Sequence, residues 1–130
     1  MRKISIIGMG YVGLPLAVAF QNYYKVMGFD SKISRIKELN KGIDINNQFN
    51  KNKLKKCTNL KFTKNLEDLD DTDFFIVTVP TPIYKNKDPN LSHLRDACKL
   101  IGKKLKKNNT IIFESTVYPG CTENFCAKIL

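Results

Sequence analysis

The chain has 130 residues, with 22 Lys and Arg against 12 Asp and Glu for a formal net charge of +10, and 42% of it is hydrophobic. That composition suits one globular domain long enough to bury a core, and no apolar run approaches the length of a membrane span. The lysines are scattered over expected helix faces and loops with no aromatic residues interleaved, which argues against a nucleic-acid surface and leaves a solvated basic exterior that draws in anionic ligands.

A basic pair opens the chain, but the apolar run behind it is short, is broken by glycines and lacks a cleavage site. "KISII" (Lys3 to Ile7) is therefore read as a first strand rather than a secretion signal, and its continuous apolar character fits a strand buried on both faces. From Tyr11 the spacing becomes helical, with Val12, Leu16 and Phe20 on one side, Ala17 beside them, and Pro15 in the first turns, where a missing N–H costs little. "KVMGFD" (Lys25 to Asp30) is a second strand ending in a carboxylate. Ser31 is placed to cap a helix whose stripe is Ile33, Ile36 and Leu39 and whose end is Gly42. The polar, lysine-rich segment from Ile43 to Asn59 is the least legible; it allows a short helix near Lys53 to Cys57.

"LKFT" (Leu60 to Thr63) is a short strand, and "NLEDLDD" an acidic helix or turn with Asn65 as its cap. The strongest strand signal is Phe74 to Val79, stopped by Pro80 and Pro82. A polar loop leads to Ser92, which caps a helix running to about Lys106 with Leu94, Ala97, Cys98, Ile101 and Leu105 as its buried stripe. "TIIFEST" is a further strand, "VYPGCT" a turn, and "ENFCAKIL" the start of a last helix. Strands and helices alternate throughout, which predicts an α/β fold: a Rossmann-type, doubly wound parallel sheet with right-handed crossovers. The four cysteines, Cys57, Cys98, Cys121 and Cys126, have neither zinc-pair spacing nor the density of a disulfide framework. They read as reduced thiols of a cytoplasmic protein.

Gly8, Gly10 and Gly13 form G-x-G-x-x-G at a strand-to-helix junction, the setting in which this otherwise weak pattern holds a dinucleotide. Gly8 permits the turn, Gly10 lets a pyrophosphate approach the backbone, and Gly13 lets the helix pack closely on the strand. Amides at the helix N-terminus then meet the phosphates. Asp30 lies 22 residues after Gly8, where a carboxylate accepts the hydroxyls of the adenosine ribose and repels a 2′-phosphate, favouring NAD over NADP. Arg35 is placed to offset part of that repulsion. A capping carboxylate is the other reading of Asp30.

Beyond the glycines, "IIGMGYVGLPLAVAF", "GFD", "VPTP" and "ESTVYPGCTE" together resemble the UDP-glucose/GDP-mannose dehydrogenase family. "DFFIVTVPTPI" and the stretch from Asn90 to Glu123 resemble especially its branch acting on UDP-N-acetylhexosamines for bacterial surface polysaccharides. The resemblance covers nearly the whole chain and is weakest from Asp44 to Lys56, where no role is assigned. It implies that Tyr11 and Val12 face the pyrophosphate, that Asp30 and Arg35 serve the adenosine ribose, and that Thr81 lies beside the cofactor. Thr116 would then stand near the nicotinamide and the reacting centre as a supporting catalytic residue. The residues alone leave open that Thr81 caps a turn and Thr116 packs at a strand end.

The family resemblance further implies two NAD-dependent oxidations at the sugar C6, through a cysteine thiohemiacetal and thioester. That cysteine belongs to a later sugar-nucleotide domain, and none of the four cysteines here has its glycine-rich context. Residues 1–130 are thus expected to be the NAD-binding domain of a larger, homo-oligomeric dehydrogenase whose partners are NAD and a UDP-sugar rather than nucleic acid or membrane. As a piece, they are expected to be inactive. The first domain of a hydroxyacid-type dehydrogenase and a non-catalytic NAD sensor are the competing expectations.

Overall fold

The computed structural model describes residues 1–115 and 119–130. Five parallel strands among the described residues, β1 (Lys3–Ile7), β2 (Lys25–Phe29), β3 (Leu60–Thr63), β4 (Phe74–Val77) and β5 (Thr110–Phe113), form one sheet in the order β3-β2-β1-β4-β5. Ile7 pairs with Phe29 on one side and Val77 on the other, so the ends of β2 and β4 flank the end of β1. The chain reverses its direction of travel across the sheet between β1 and β4, which opens a crevice beyond their C-terminal ends. The expected sheet and its doubly wound architecture are therefore present.

Alternation along β1 divides the core. Ile4 and Ile6 pack with Leu14, Ala17 and Val18 of α1 (Gly13–Phe20), Leu39 of α2 (Ile33–Asn40) and Leu54 of α3 (Lys51–Lys55). Ile7 packs on the opposite face with Phe75, Val77, and Leu94, Ala97, Cys98 and Ile101 of α4 (Ser92–Gly102). Ser5 is the polar exception in this apolar strand; it is fully buried, and its hydroxyl shares a 2.6 Å hydrogen bond with that of Thr72.

Helix boundaries and caps depart from the sequence expectation in instructive ways. α1 begins at Gly13, not Tyr11, and Val12 is 55% exposed rather than part of a buried stripe. The contact of Gly13 with the glycine turn sets the rotation of the helix, so Leu14, Ala17 and Val18 are buried while Leu16 and Phe20 are only partly so. At α2, Ser31 makes no capping bond; the carboxylate of Asp30 accepts from the Lys32 amide instead. Ile33 is exposed, and the buried face carries Arg35, Ile36 and Leu39. Gly42 does close this helix. It takes φ +77°, and the Gly42 and Ile43 amides donate back to Leu39 and Glu38, a Schellman arrangement that needs a left-handed residue.

Asn50 caps α3 by accepting from the Lys53 amide, so that helix starts two residues before the expected position. Asn65 does not cap the 3-10 turn at Leu66–Leu69; Thr63 accepts the Asn65 amide and bonds the Asp68 carboxylate. Likewise Asn90, not Ser92, closes the start of α4, taking both the amide and the hydroxyl of Ser92. α4 stops at Gly102, short of Lys106, which leaves Leu105 37% exposed and outside the stripe. The last helical stretch begins as a π-helix, Thr122–Cys126, and continues as α5 (Ala127–Ile129).

Candidate functional site

A cleft of about 720 Å³ lies beyond the ends of β1, β2 and β4. It brings together Gly8, Gly10, Tyr11, Val12, Asp30, Arg35 and Thr81 from the sequence-predicted set. Gly13 lies beneath it in the helix start, and Thr116 lies outside the described residues.

The three glycines do three different jobs. Gly8 adopts φ +106° and donates its amide to the Phe29 carbonyl at 2.7 Å, turning the chain at the end of β1. A Cβ on Gly13 would stand 1.7 Å from the Gly8 carbonyl oxygen and 2.6 Å from Thr78 Oγ1, so a glycine there is required by packing within the protein. A Cβ on Gly10 would meet nothing within 4 Å, and its backbone is not left-handed. Neither packing nor conformation demands glycine at position 10. The open space beside it is what a pyrophosphate approaching the backbone would use. No hydrogen bond among the described residues uses the amides of Gly10, Tyr11 or Val12, which therefore remain as donors at the start of α1.

Thr78, which sequence reading passed over, fastens this turn. Its amide donates to the Ile7 carbonyl at 2.9 Å and its hydroxyl to the Gly8 carbonyl at 2.8 Å. A lone hydroxyl in the apolar run Phe74 to Val79 was the available signal, because a buried polar group is kept where it finds a partner. On the far side, Ser115 Oγ donates to the Val79 carbonyl at 2.8 Å, tying the chain after β5 to the chain after β4 beside Thr81.

Asp30 lines the cleft and accepts two backbone amides. Oδ1 accepts from the Lys32 amide and Oδ2 from the Met9 amide, each at 2.9 Å. A carboxylate has about four acceptor positions, so roughly two remain for a diol at the cleft. Arg35 lines the cleft as well, yet its guanidinium is engaged with the protein. Nε donates to the Met9 carbonyl at 2.7 Å, Nη1 donates to Asp44 at 2.9 Å, and Nη2 is buried without a hydrogen-bond partner among the described residues.

Asp44, to which the sequence assigned no role, is the partner that buries this arginine. Its side chain is fully shielded, and it also accepts the amides of Asn46, Gln48 and Phe49. Burial raises its pKa, but the Arg35 guanidinium and the three amides outweigh that and hold it below its ordinary value. Gln48 Nε2 reaches back to the Tyr11 carbonyl at 3.2 Å, so the 44–49 loop grips the glycine loop directly as well as through Arg35.

None of the four cysteines lines the cleft. All are buried, and burial is the leading influence that raises the thiol pKa of Cys57 and Cys98. Burial together with Cys98 and Cys121 pushes Cys126 up to about 12. Cys57, Cys98 and Cys126 are thus protonated packing thiols rather than activated nucleophiles, and Cys121 packs in the same core cluster as Cys98 and Cys126. Among the described residues there is no metal-ligating cluster, and no helix is long and apolar enough to cross a membrane.

Comparison with known proteins agrees with this geometry. The chain is 49% identical to Protein CapL of Staphylococcus aureus over 99% of its own length and 30% of that protein's. It is 50% identical to the UDP-N-acetyl-D-glucosamine 6-dehydrogenase of Pseudomonas aeruginosa, covering 98% of this chain and 30% of the relative. In structure it resembles the UDP-D-ManNAc dehydrogenase of Pyrococcus horikoshii, with a TM-score of 0.91 at 34% identity over 98% of this chain and 31% of that one. The chain thus spans about 30% of the length of the relatives it matches. Residues 2–130 match the description "UDP-glucose/GDP-mannose dehydrogenase family, NAD binding domain", and the chain belongs to that family as its NAD-binding domain.

Proposed function

We propose that these residues are the cofactor-holding part of a longer nucleotide-sugar 6-dehydrogenase that converts a UDP-N-acetylhexosamine to its uronic acid. The observation that carries this reading is the half-identity, across nearly the whole chain, with a UDP-N-acetyl-D-glucosamine 6-dehydrogenase. The cleft supports it: Gly10 leaves room for a pyrophosphate, three amides await it, and Asp30 keeps acceptor positions for the ribose hydroxyls.

When bound, NAD supplies a hydride acceptor. Two turns remove two hydrides and water contributes the second carboxylate oxygen, so each sugar consumes two NAD. In this scheme Gly8, Gly10, Tyr11, Val12 and Gly13 shape the pyrophosphate seat and Asp30 orients the ribose. Arg35 braces Met9 beneath that seat, Thr81 borders the cofactor, and Thr116 supports the reacting centre. The nucleophilic cysteine is expected from chain outside these residues, because the thiols within them are buried away from the cleft. The longer enzyme would act in the cytoplasm as a homo-oligomer.

The direct test is turnover. The 130-residue chain is expected to bind NADH but to produce none from UDP-N-acetylglucosamine or its epimers, whereas the longer enzyme yields two NADH per sugar. Steady NADH production by the chain alone, free of contaminating enzyme, would sink the division of labour. Within the chain, Asp30→Ala is expected to weaken NADH binding about tenfold, or about 1.4 kcal/mol, through loss of the ribose acceptor. Fluorescence titration checks this; unchanged NADH affinity, or a parent that prefers NADPH, would show that Asp30 is only a turn residue.

A further inference from the structure

Arg35 stands where a cation would be expected to welcome a phosphate, beside the carboxylate that should refuse one. The structure resolves this opposition. Asp30 and Arg35 meet on a single residue: Asp30 accepts the Met9 amide and Arg35 donates to the Met9 carbonyl. Arg35 would thus lie within electrostatic reach of a group bound at Asp30. Its side chain, however, is only 7% exposed, two of its nitrogens are bonded within the protein, and the third is closed to solvent. Asp44 opposes its charge at 2.9 Å from a fully shielded position.

We infer that Asp44 is a specificity-determining residue: by pinning and neutralising Arg35 under the glycine loop, it keeps Arg35 from compensating the Asp30 carboxylate and so keeps the site selective for NAD over a 2′-phosphorylated cofactor. The three charges sum to minus one with Asp44 present. Replacing Asp44 by a neutral residue brings the sum to zero and releases a guanidinium suited to phosphate. Lys32 and Glu38 also line this end of the cleft and carry opposite charges, so the five groups still sum to minus one and Asp44→Asn still brings the sum to zero; Lys32 is exposed at the rim and screened by solvent, and Glu38 is half-buried.

The inference rests on the chain's role as an NAD-binding domain. NADH and NADPH affinities are measured by fluorescence titration for the parent and for Asp44→Asn, with circular dichroism as the fold check. The ratio of NADPH to NADH affinity is expected to rise about tenfold in Asp44→Asn, with NADPH binding gaining in absolute terms. A purely structural role would weaken both cofactors together, and an unchanged ratio in a folded variant overturns the inference.

Should Asp44→Asn not fold, the double change Arg35→Met with Asp44→Asn asks the same question from the other side. It removes the stranded cation and keeps a side-chain oxygen to accept the loop amides. Because the native pair is already neutral, the ratio is expected to stay within about twofold of the parent. A ratio that falls fivefold or more would mean that Arg35 was assisting the phosphate all along, and would overturn the inference. A parent without measurable NADH binding overturns the cofactor reading itself, and this one with it; a parent that binds NADH with an unmoved ratio overturns this one alone.

Discussion

Gly13→Ala is expected to unfold the chain or lower its stability by about 3 kcal/mol or more, whereas Gly10→Ala leaves stability nearly unchanged and weakens cofactor binding. The two changes add the same methyl group three residues apart, so their difference is purely one of surroundings. At Gly13 the new carbon would sit 1.7 Å from the Gly8 carbonyl oxygen, a backbone atom held in turn by Thr78. Relief requires moving α1 off the sheet, which breaks the packing of Leu14, Ala17 and Val18 on Ile4 and Ile6. At Gly10 the carbon enters open space at the mouth of the cleft. It excludes the pyrophosphate instead, and NADH affinity is expected to fall by about tenfold or more. Urea denaturation and NADH titration on both variants check the pair. Equal stability losses would mean that Gly10 is structural and that the cleft is not a cofactor seat.

The second large effect is expected at Asp44. Asp44→Ala should cost about 3–5 kcal/mol, because it strands the Arg35 guanidinium as a buried, uncompensated cation and orphans three loop amides. The same residue makes the fold acid-sensitive in a defined direction. Its folded-state pKa is lowered below 3.8, so its contribution to stability is fully present above the unfolded value and disappears as pH falls through the folded one. Denaturation midpoints measured from pH 6 down to pH 2.5 should therefore fall more steeply below about pH 4 in the parent than in Asp44→Asn. Parallel slopes would show that the buried pair does not govern acid unfolding. A small loss in Asp44→Ala, under about 1 kcal/mol, would show that the 44–49 loop rearranges to solvate Arg35.

Most strands were legible from local chemistry. Lys3–Ile7 was placed because a strand buried on both faces has a nearly continuous apolar signature, and Lys25–Phe29 and Leu60–Thr63 were placed within a residue as short segments of strand-forming residues although each carries an exposed lysine. Helix ends were less legible. At Ser31, Asn65 and Ser92 a residue of capping type was present, yet Asp30, Thr63 and Asn90 do the closing. These neighbours offer the same hydrogen-bond chemistry within one or two positions, and backbone direction at the turn decides between them. Val12 and Leu105 were placed in buried stripes by spacing alone, but the helices they were assigned to begin after the one and end before the other.

By itself, the sequence determined the parallel α/β class, the glycine turn, the acid at the end of the second strand and the family, since each depends on residues adjacent in the chain or on a pattern of fixed spacing. The motif also assigned Gly13 to close packing, but only the tertiary structure supplied the atoms that make that demand, because those of Gly8 and Thr78 are brought beside Gly13 by the fold. Only the tertiary structure likewise showed that Arg35, while lining the cleft, is bonded to the Met9 carbonyl and to Asp44. Its partner Asp44 lies nine residues away in the stretch with the weakest pattern, and an ion pair made across a loop leaves no periodicity to read.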